Sequence, residues 1–316
     1  MEQLQQDSEF ANDVLNGFLA NHKYLPSKYF YDTQGSVLFQ RIMAMPEYYP
    51  TKCEMEILQT KSAEIFHHLN FAAAFDIIEF GAGDGSKTIS LLKTFSEINT
   101  DVFYKPVDIS HDVLETLADN LKVQLPKLKF RLIEGDYSTN NNTVEERPAL
   151  LLFLGGNIGN YNRPDAIALL RSFAQRMKTG DKLLIGFDLR KDPNVIKVAY
   201  DDPHGITEAF NMNLLKRIND ELEADINLEK FGFYCHYDPV SGGVHSYLFS
   251  REKQEVTIKT LNKKFSFRQN ELIFTELSQK FNFAEIESLA SKSGFSVLTH
   301  VTDSRKYFTD SLWVKQ

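Results

Sequence analysis

The sequence predicts an α/β protein built on an open, mostly parallel sheet, and three observations predict it. From about residue 74 to 190, short β-rich runs alternate with helical periodicity, the pattern of strand-helix-strand crossovers. The first run, "FDIIEFG", leads straight into a glycine-rich turn, "GAGDGSK". The next two runs end in acidic residues, Asp108 and Asp136, at the edge of the sheet where such folds bind ligands.

Taken in order, "FDIIEFG" is the first strand, and "VFYKPVDIS", "LKFRLIEGDY", "ALLLFLGG" and "KLLIGFDL" are the next four. Amphipathic helices lie between them. Leu114, Leu117, Ala118 and Leu121 fall at i, i+3, i+4, i+7 behind a Ser110 N-cap, and Ala166, Leu169, Leu170 and Phe173 repeat that stripe after Pro164. The closing segment, "FSVLTHVTDSRKYFTDSLWVKQ", reads as two strands about a polar turn, preceded by the helix "FAEIESLASKSGF". An antiparallel pair there completes the sheet. The remaining segments are the N-terminal stretch and a second one holding an amphipathic helix (Phe210, Leu214, Ile218, Leu222) and hairpin-like strands about "GGVHSYLFSREKQEVTIKTL". The expected division is 56–194 with 281–316 as the sheet domain and 1–55 with 195–280 as an accessory α+β domain.

Across 316 residues the chain is 42% hydrophobic and 25% charged, with no apolar run long enough to cross a bilayer. Its opening, "MEQLQQDSEF", has neither a basic n-region nor an apolar h-region, so a cytoplasmic protein without membrane attachment is expected. Cys53 and Cys235 have no disulfide or metal-site spacing and are expected to be buried and reduced. None of the eight histidines, including His236 and His245 near Cys235, has ligand spacing, so no metal is expected. Nucleic acids select clustered Lys and Arg, whereas this chain carries a net charge of −8. Small molecules are the expected partners, of a monomer.

Three ligand classes compete for the glycine loop. A Walker A loop ends in Gly-Lys-Thr, but here Ser86 precedes Lys87 and Thr88. A dinucleotide fingerprint spaces its glycines G-x-G-x-x-G, but Gly81, Gly83 and Gly85 give G-x-G-x-G. The remaining form, Glu79-Phe-Gly81-Ala-Gly83-Asp-Gly85, resembles the first motif of S-adenosylmethionine-dependent methyltransferases. That cofactor offers two ribose hydroxyls, a cationic sulfonium and ammonium, and a flat adenine. Asp108 can take the ribose hydroxyls, and Asp136 with Tyr137 can hold the adenine amino group. The resemblance implies a Rossmann-like class I methyltransferase sheet with an antiparallel C-terminal strand pair, plus an accessory α+β substrate-binding domain. A nucleotide-binding or non-catalytic relative is the alternative at this point.

Less common words extend the likeness. "LPSKYFYDTQGSVLFQRIMAMPEYYPTKCEMEIL", "FLGGNIGNY", "AYDDPHGITEAFNMNLL" and "FTELSQKF", in that order, resemble the ergothioneine-pathway histidine Nα-methyltransferases over almost the whole chain. That family converts free L-histidine to its trimethylammonium betaine, hercynine. The resemblance implies that Gly81, Lys87, Asp108 and Asp136 hold the cofactor. It also implies that Tyr31 and Tyr200 hold the substrate carboxylate, with Tyr48 of "EYYP" closing over the same pocket. Asn160 would orient the α-amine, and Glu276 and Ser278 of "TELS" would read the imidazole. Tyr31 and Asn160 are the catalytic candidates, Tyr31 as a route for the amine proton.

These roles make sense unaided. An amino acid alkylated at nitrogen must be gripped by its carboxylate and side chain, with the amine lone pair about 3 to 3.5 Å from the methyl carbon. Tyrosine donors suit a site that takes a sulfonium, where an arginine would add repulsion. Ser246 stands where the histidine enzymes tend to carry a methionine lining the imidazole pocket, so a tryptophan- or tyrosine-type substrate remains an alternative, as does a non-catalytic metabolite sensor.

Overall fold

The computed structural model describes residues 2–71, 74–99, 101–135 and 147–316. In chain order, α1 (Glu2–Leu19), β1 (Lys23–Tyr24) and α2 (Thr33–Ala44) come first. Then follow α3 (Tyr49–Thr60), α4 (Ser62–Leu69), β2 (Phe75–Phe80), α5 (Thr88–Ile98), β3 (Val102–Asp108) and α6 (His111–Gln124). Next are β4 (Lys129–Phe130), β5 (Ile133–Glu134), β6 (Ala149–Phe153), α7 (Arg163–Arg176) and β7 (Lys182–Asp188). The chain continues through α8 (Pro193–Tyr200), α9 (Ile206–Leu222), β8 (Phe231–Asp238), β9 (Gly243–Ser250), β10 (Gln254–Ile258), β11 (Lys263–Phe267) and β12 (Leu272–Gln279). It ends with α10 (Phe283–Lys292), β13 (Phe295–Thr302) and β14 (Phe308–Lys315). Two compact units result: Met1–Tyr48 with Lys191–Ser278, and Tyr49–Arg190 with Gln279–Gln316.

The second unit holds the sheet, in the order β13-β14-β7-β6-β2-β3-β4, with β5 also paired to β3. Strands β4 to β7 and β2 to β3 run parallel, while β14 is antiparallel to both β7 and β13. Every residue of β2 and β6 is buried, as expected of parallel strands covered on both faces. On one face Ile78, Phe80, Leu151, Phe153, Ile185 and Phe187 meet the α7 and α10 stripes, including Leu170, Phe173, Ile286 and Leu289. On the other, Phe75 meets the rings of Phe66 and Phe95. Lys105 is buried in β3 and is tolerated because its ammonium donates to Asp76 at 2.7 Å.

The predicted third strand is broken into the two-residue strands β4 and β5, separated by Arg131 and Leu132, although Leu128, Phe130 and Leu132 alternate with exposed residues as a strand requires. Ser110 caps α6, accepting from the Val113 amide, and Asn162 caps α7 just before Pro164. The C-terminal pair forms as expected, with the last strand inserted between β7 and the edge strand β13. Gly186 of β7 faces Asp310 of β14 in that register.

The first unit has a four-stranded sheet, β1-β12-β9-β8, and a β10–β11 hairpin. Phe210, Leu214, Ile218 and Leu222 of α9 enter its core as their spacing predicts, beside Phe18, Phe265 and Phe267. Asp202 caps α9 by accepting from the amides of His204, Ile206 and Thr207, and these donors outweigh burial to hold its pKa below the usual carboxylate value. Asp32 accepts from the Gly35 amide at 2.6 Å and the Asn213 side chain at 2.8 Å, which ties α2 to α9 immediately after Tyr31.

Candidate active site

The glycine turn follows β2, at the point where strand order reverses between β2 and β6. Gly81, Gly83 and Gly85 have φ of 67°, 57° and 71°, the left-handed region that disfavours any side chain. Their surroundings differ. A Cβ at Gly81 or Gly83 would meet nothing within 4 Å, whereas one at Gly85 would lie 2.2 Å from Leu117 Cδ1. Gly85 therefore lets α6 approach, and Gly81 and Gly83 border open space that a cofactor can fill. Asp108 fixes the loop by accepting from the Gly83 amide at 3.0 Å and the Ser110 amide at 3.1 Å. Ile109, which the sequence reading did not single out, is 72% exposed next to this carboxylate and offers an apolar surface for a flat base. Asp136 and Tyr137 lie outside the described residues.

Glu79, the acid that opens the glycine motif, is buried and accepts from Thr88 Oγ1 at 2.6 Å and from the Tyr104 hydroxyl. Burial pushes its pKa up to about 7 against the pull of those donors. It braces the loop from behind. Lys87 turns to Glu54 of α3, whose Oε2 accepts from the ammonium at 2.8 Å. Burial opposes the charge on Lys87, but Glu54 outweighs it and holds the lysine above its usual range. Glu54 was not among the expected site residues. Its signal in the sequence is a glutamate on the apolar stripe of Cys53, Ile57 and Leu58, which the structure buries.

After β6, a 3-10 turn spans Asn157–Asn160. Ile158 anchors it in the core, and Gly159 is required because a Cβ there would lie 2.8 Å from the Gln279 carbonyl oxygen. Pinned at those two residues, the turn leaves Asn160 exposed. The amide of Gly155 at its start donates to Glu54 Oε1 at 2.5 Å.

In the other unit, the structure brings together five of the expected substrate residues. Tyr31 packs edge-on against Phe39 and Phe210, and Tyr48 against Phe39 and Tyr200, with centroids 5.4 to 6.5 Å apart. Tyr200 is buried, and its hydroxyl lies 3.0 Å from Ser278 Oγ. Tyr31 is 47% exposed overall, so its raised pKa reflects the surroundings of the hydroxyl: desolvation first, then the negative charge of Glu276. Phe274 rings contact His245 and Tyr247, whereas Thr275 bonds to Asn211 of α9. Ser246 is buried opposite Cys235 in the β8–β9 pair. Among the described residues no group of three or more His, Cys, Asp or Glu side chains could hold a metal.

A glycine loop facing open space, an acidic end to the neighbouring strand and an antiparallel last strand inserted beside β7 define a class I S-adenosylmethionine-dependent methyltransferase. The particular family is equally plain. The chain belongs to the histidine-specific, SAM-dependent methyltransferases, whose family model matches residues 10–315. It is 33% identical over 304 residues to the histidine N-alpha-methyltransferase of Mycolicibacterium smegmatis, covering 96% of this chain and 94% of that one. It is 31% identical to ergothioneine biosynthesis protein 1 of Schizosaccharomyces pombe, covering 87% of this chain and 37% of that protein. Among solved structures, a possible exported protein from Bordetella parapertussis shares the fold at a TM-score of 0.51 and 13% identity, over 90% of this chain and 83% of that one.

Proposed function

We propose that this protein methylates the α-amino nitrogen of free L-histidine, up to the trimethylammonium betaine hercynine, as a step of ergothioneine biosynthesis. The observation that carries the substrate assignment is the Tyr200–Ser278 hydroxyl pair, 3.0 Å apart beside Glu276, in a wall of tyrosine and phenylalanine rings. A small zwitterion with an imidazole matches that set of groups. Glu276 accepts one imidazole N–H, and Ser278 serves the other nitrogen as donor or acceptor. Tyr31 and Tyr200 provide hydroxyl donors for the carboxylate without adding positive charge, and Tyr48 closes over the same pocket.

Gly81, Gly83 and Asp108 fit the cofactor, Lys87 stands at the end of the same loop, and Asp136 with Tyr137 completes the proposed cofactor set. When bound, S-adenosylmethionine supplies an electrophilic methyl carbon on a sulfonium. Asn160 accepts from the substrate amine through its side-chain carbonyl and so fixes the direction of the lone pair. With a reference α-amino pKa of about 8, a useful fraction of the amine is neutral near physiological pH. Tyr31, kept protonated by its raised pKa, passes the departing proton outward by donating and accepting in turn. Tyrosine faces tolerate the growing bulk and permanent charge of successive methylation.

Among the described residues no helix is long and apolar enough to cross a membrane. A cytoplasmic monomer is part of the proposal, and the two buried free cysteines agree with a reducing compartment. The test is incubation with S-adenosylmethionine and a panel of free amino acids, read by mass spectrometry. Histidine should gain up to three methyl groups. Methylation of tryptophan or tyrosine with histidine untouched would overturn the substrate assignment.

A further inference from the structure

We propose that Glu54 is a positioning residue for methyl transfer, holding Lys87 at the cofactor loop and the Gly155 amide at the base of the Asn160 turn with one carboxylate. This rests on the reading that the glycine loop holds S-adenosylmethionine and that Asn160 faces the substrate amine.

The geometry gives Glu54 two different tasks. Oε2 meets the Lys87 ammonium at 2.8 Å, and Oε1 meets the Gly155 N–H at 2.5 Å. Lys87 follows β2 and Gly155 follows β6, the strands flanking the point where the sheet reverses order. A single side chain on α3 thus clamps the two ligand-facing loops to each other. Glu54 is 1% exposed, so its carboxylate is desolvated and depends on these two donors, although the Lys87 side chain itself is 26% exposed.

The surroundings are shaped for this carboxylate. A Cβ at Gly186 would lie 2.5 Å from Oε1, so β7 is bare where Glu54 crosses it. Across from Gly186, Asp310 is fully buried with both carboxyl oxygens lacking a hydrogen-bond partner. Burial, and then the charge of Glu54, hold Asp310 well above the carboxylate range. Of the three acids around Lys87, namely Glu54, Glu79 and Asp310, it is Glu54 whose carboxylate receives the ammonium. Glu79 is occupied by Thr88 and Tyr104.

Glutamine is the informative replacement. It keeps the size of Glu54 but has one acceptor oxygen and one NH2 donor, and both partners, Lys87 and Gly155, are donors. Glu54→Gln must therefore break one bond. Gly186→Ala displaces the same carboxylate without removing any charged group, pressing also on the Phe308 ring 3.1 Å from the added Cβ, and it carries the test if Glu54→Gln does not fold.

Two measurements are made on the whole protein. In hydrogen exchange without any ligand, the segment 154–160 should exchange about tenfold faster in each variant, with α7 unchanged. In steady-state assays, kcat should fall about 10- to 100-fold while the KM for histidine stays within about twofold, because the tyrosine and Glu276 side chains are untouched. Wild-type exchange at 154–160 in a folded variant, or a loss confined to the histidine KM, overturns the role of Glu54. A failure of the underlying reading looks different: S-adenosylmethionine added to the wild type would then leave exchange at 79–90 unprotected.

Discussion

The hydroxyl of Tyr200 and the hydroxyl of Ser278 lie 3.0 Å apart, joining the end of α8 to the last turn-ward residues of β12 across 78 positions of sequence. That bond fixes the direction of both groups before a substrate arrives. Removing it with Tyr200→Phe should raise the KM for histidine about five- to tenfold, the effect of a net hydrogen bond of about 1 kcal/mol. Ser278→Ala should act similarly, and the double variant should cost less than the two losses summed, because the groups share one bond. Affinity for S-adenosylmethionine by isothermal titration should not move. Additive losses would show that the two hydroxyls act separately.

Asn160→Ala should lower kcat by on the order of 100-fold, comparable to losing one positioned dipole at a reacting centre. Cofactor affinity should remain within about twofold, since the turn is held by Ile158 and Gly159 rather than by Asn160 itself. Titration calorimetry and single-turnover assays separate the two quantities. Collapse of cofactor binding with an intact methylation rate would contradict the assigned role.

Gly81→Ala and Gly85→Ala should fail in different ways. Both pay for a positive φ, but Gly85→Ala also drives a methyl to 2.2 Å from Leu117, so it should destabilise the fold by about 3 kcal/mol. Gly81→Ala has open space and should cost about 1 kcal/mol of stability while weakening cofactor affinity about tenfold or more. Thermal melts with and without S-adenosylmethionine read both effects.

Glu79 makes stability depend on pH with a definite sign. Its pKa rises from an ordinary 4.5 to about 7 in the folded chain, so the folded state binds the proton more tightly than the unfolded state does. That contribution is fully present below about pH 4.5 and is lost as pH rises towards 7. The raised carboxyl of Asp310 adds a loss of the same sign. Glu79→Gln should flatten the urea-unfolding free energy over that window, and an unchanged slope would show that Glu79 is not the group responsible.

Much of this protein was legible in its residues, because local chemistry decides local structure. The positive-φ glycines at 81, 83 and 85, the Ser110 cap, and the apolar stripes of α6, α7 and α9 each follow from spacing and side-chain shape. The histidine-enzyme family was legible too, since its words run from "LPSKYFYD" to "FTELSQKF". Tertiary structure alone decided the rest. It distinguished Gly85, which lets α6 approach, from Gly81 and Gly83, which border open space. It broke the third strand in two, turned Lys87 to a buried glutamate of α3, and left the Asp310 carboxyl without a hydrogen bond beside Gly186. Such relationships join residues tens to hundreds of positions apart, and they are set by how burial excludes water from a charge. No local pattern encodes that exclusion, because it exists only once helix and sheet have closed over the group.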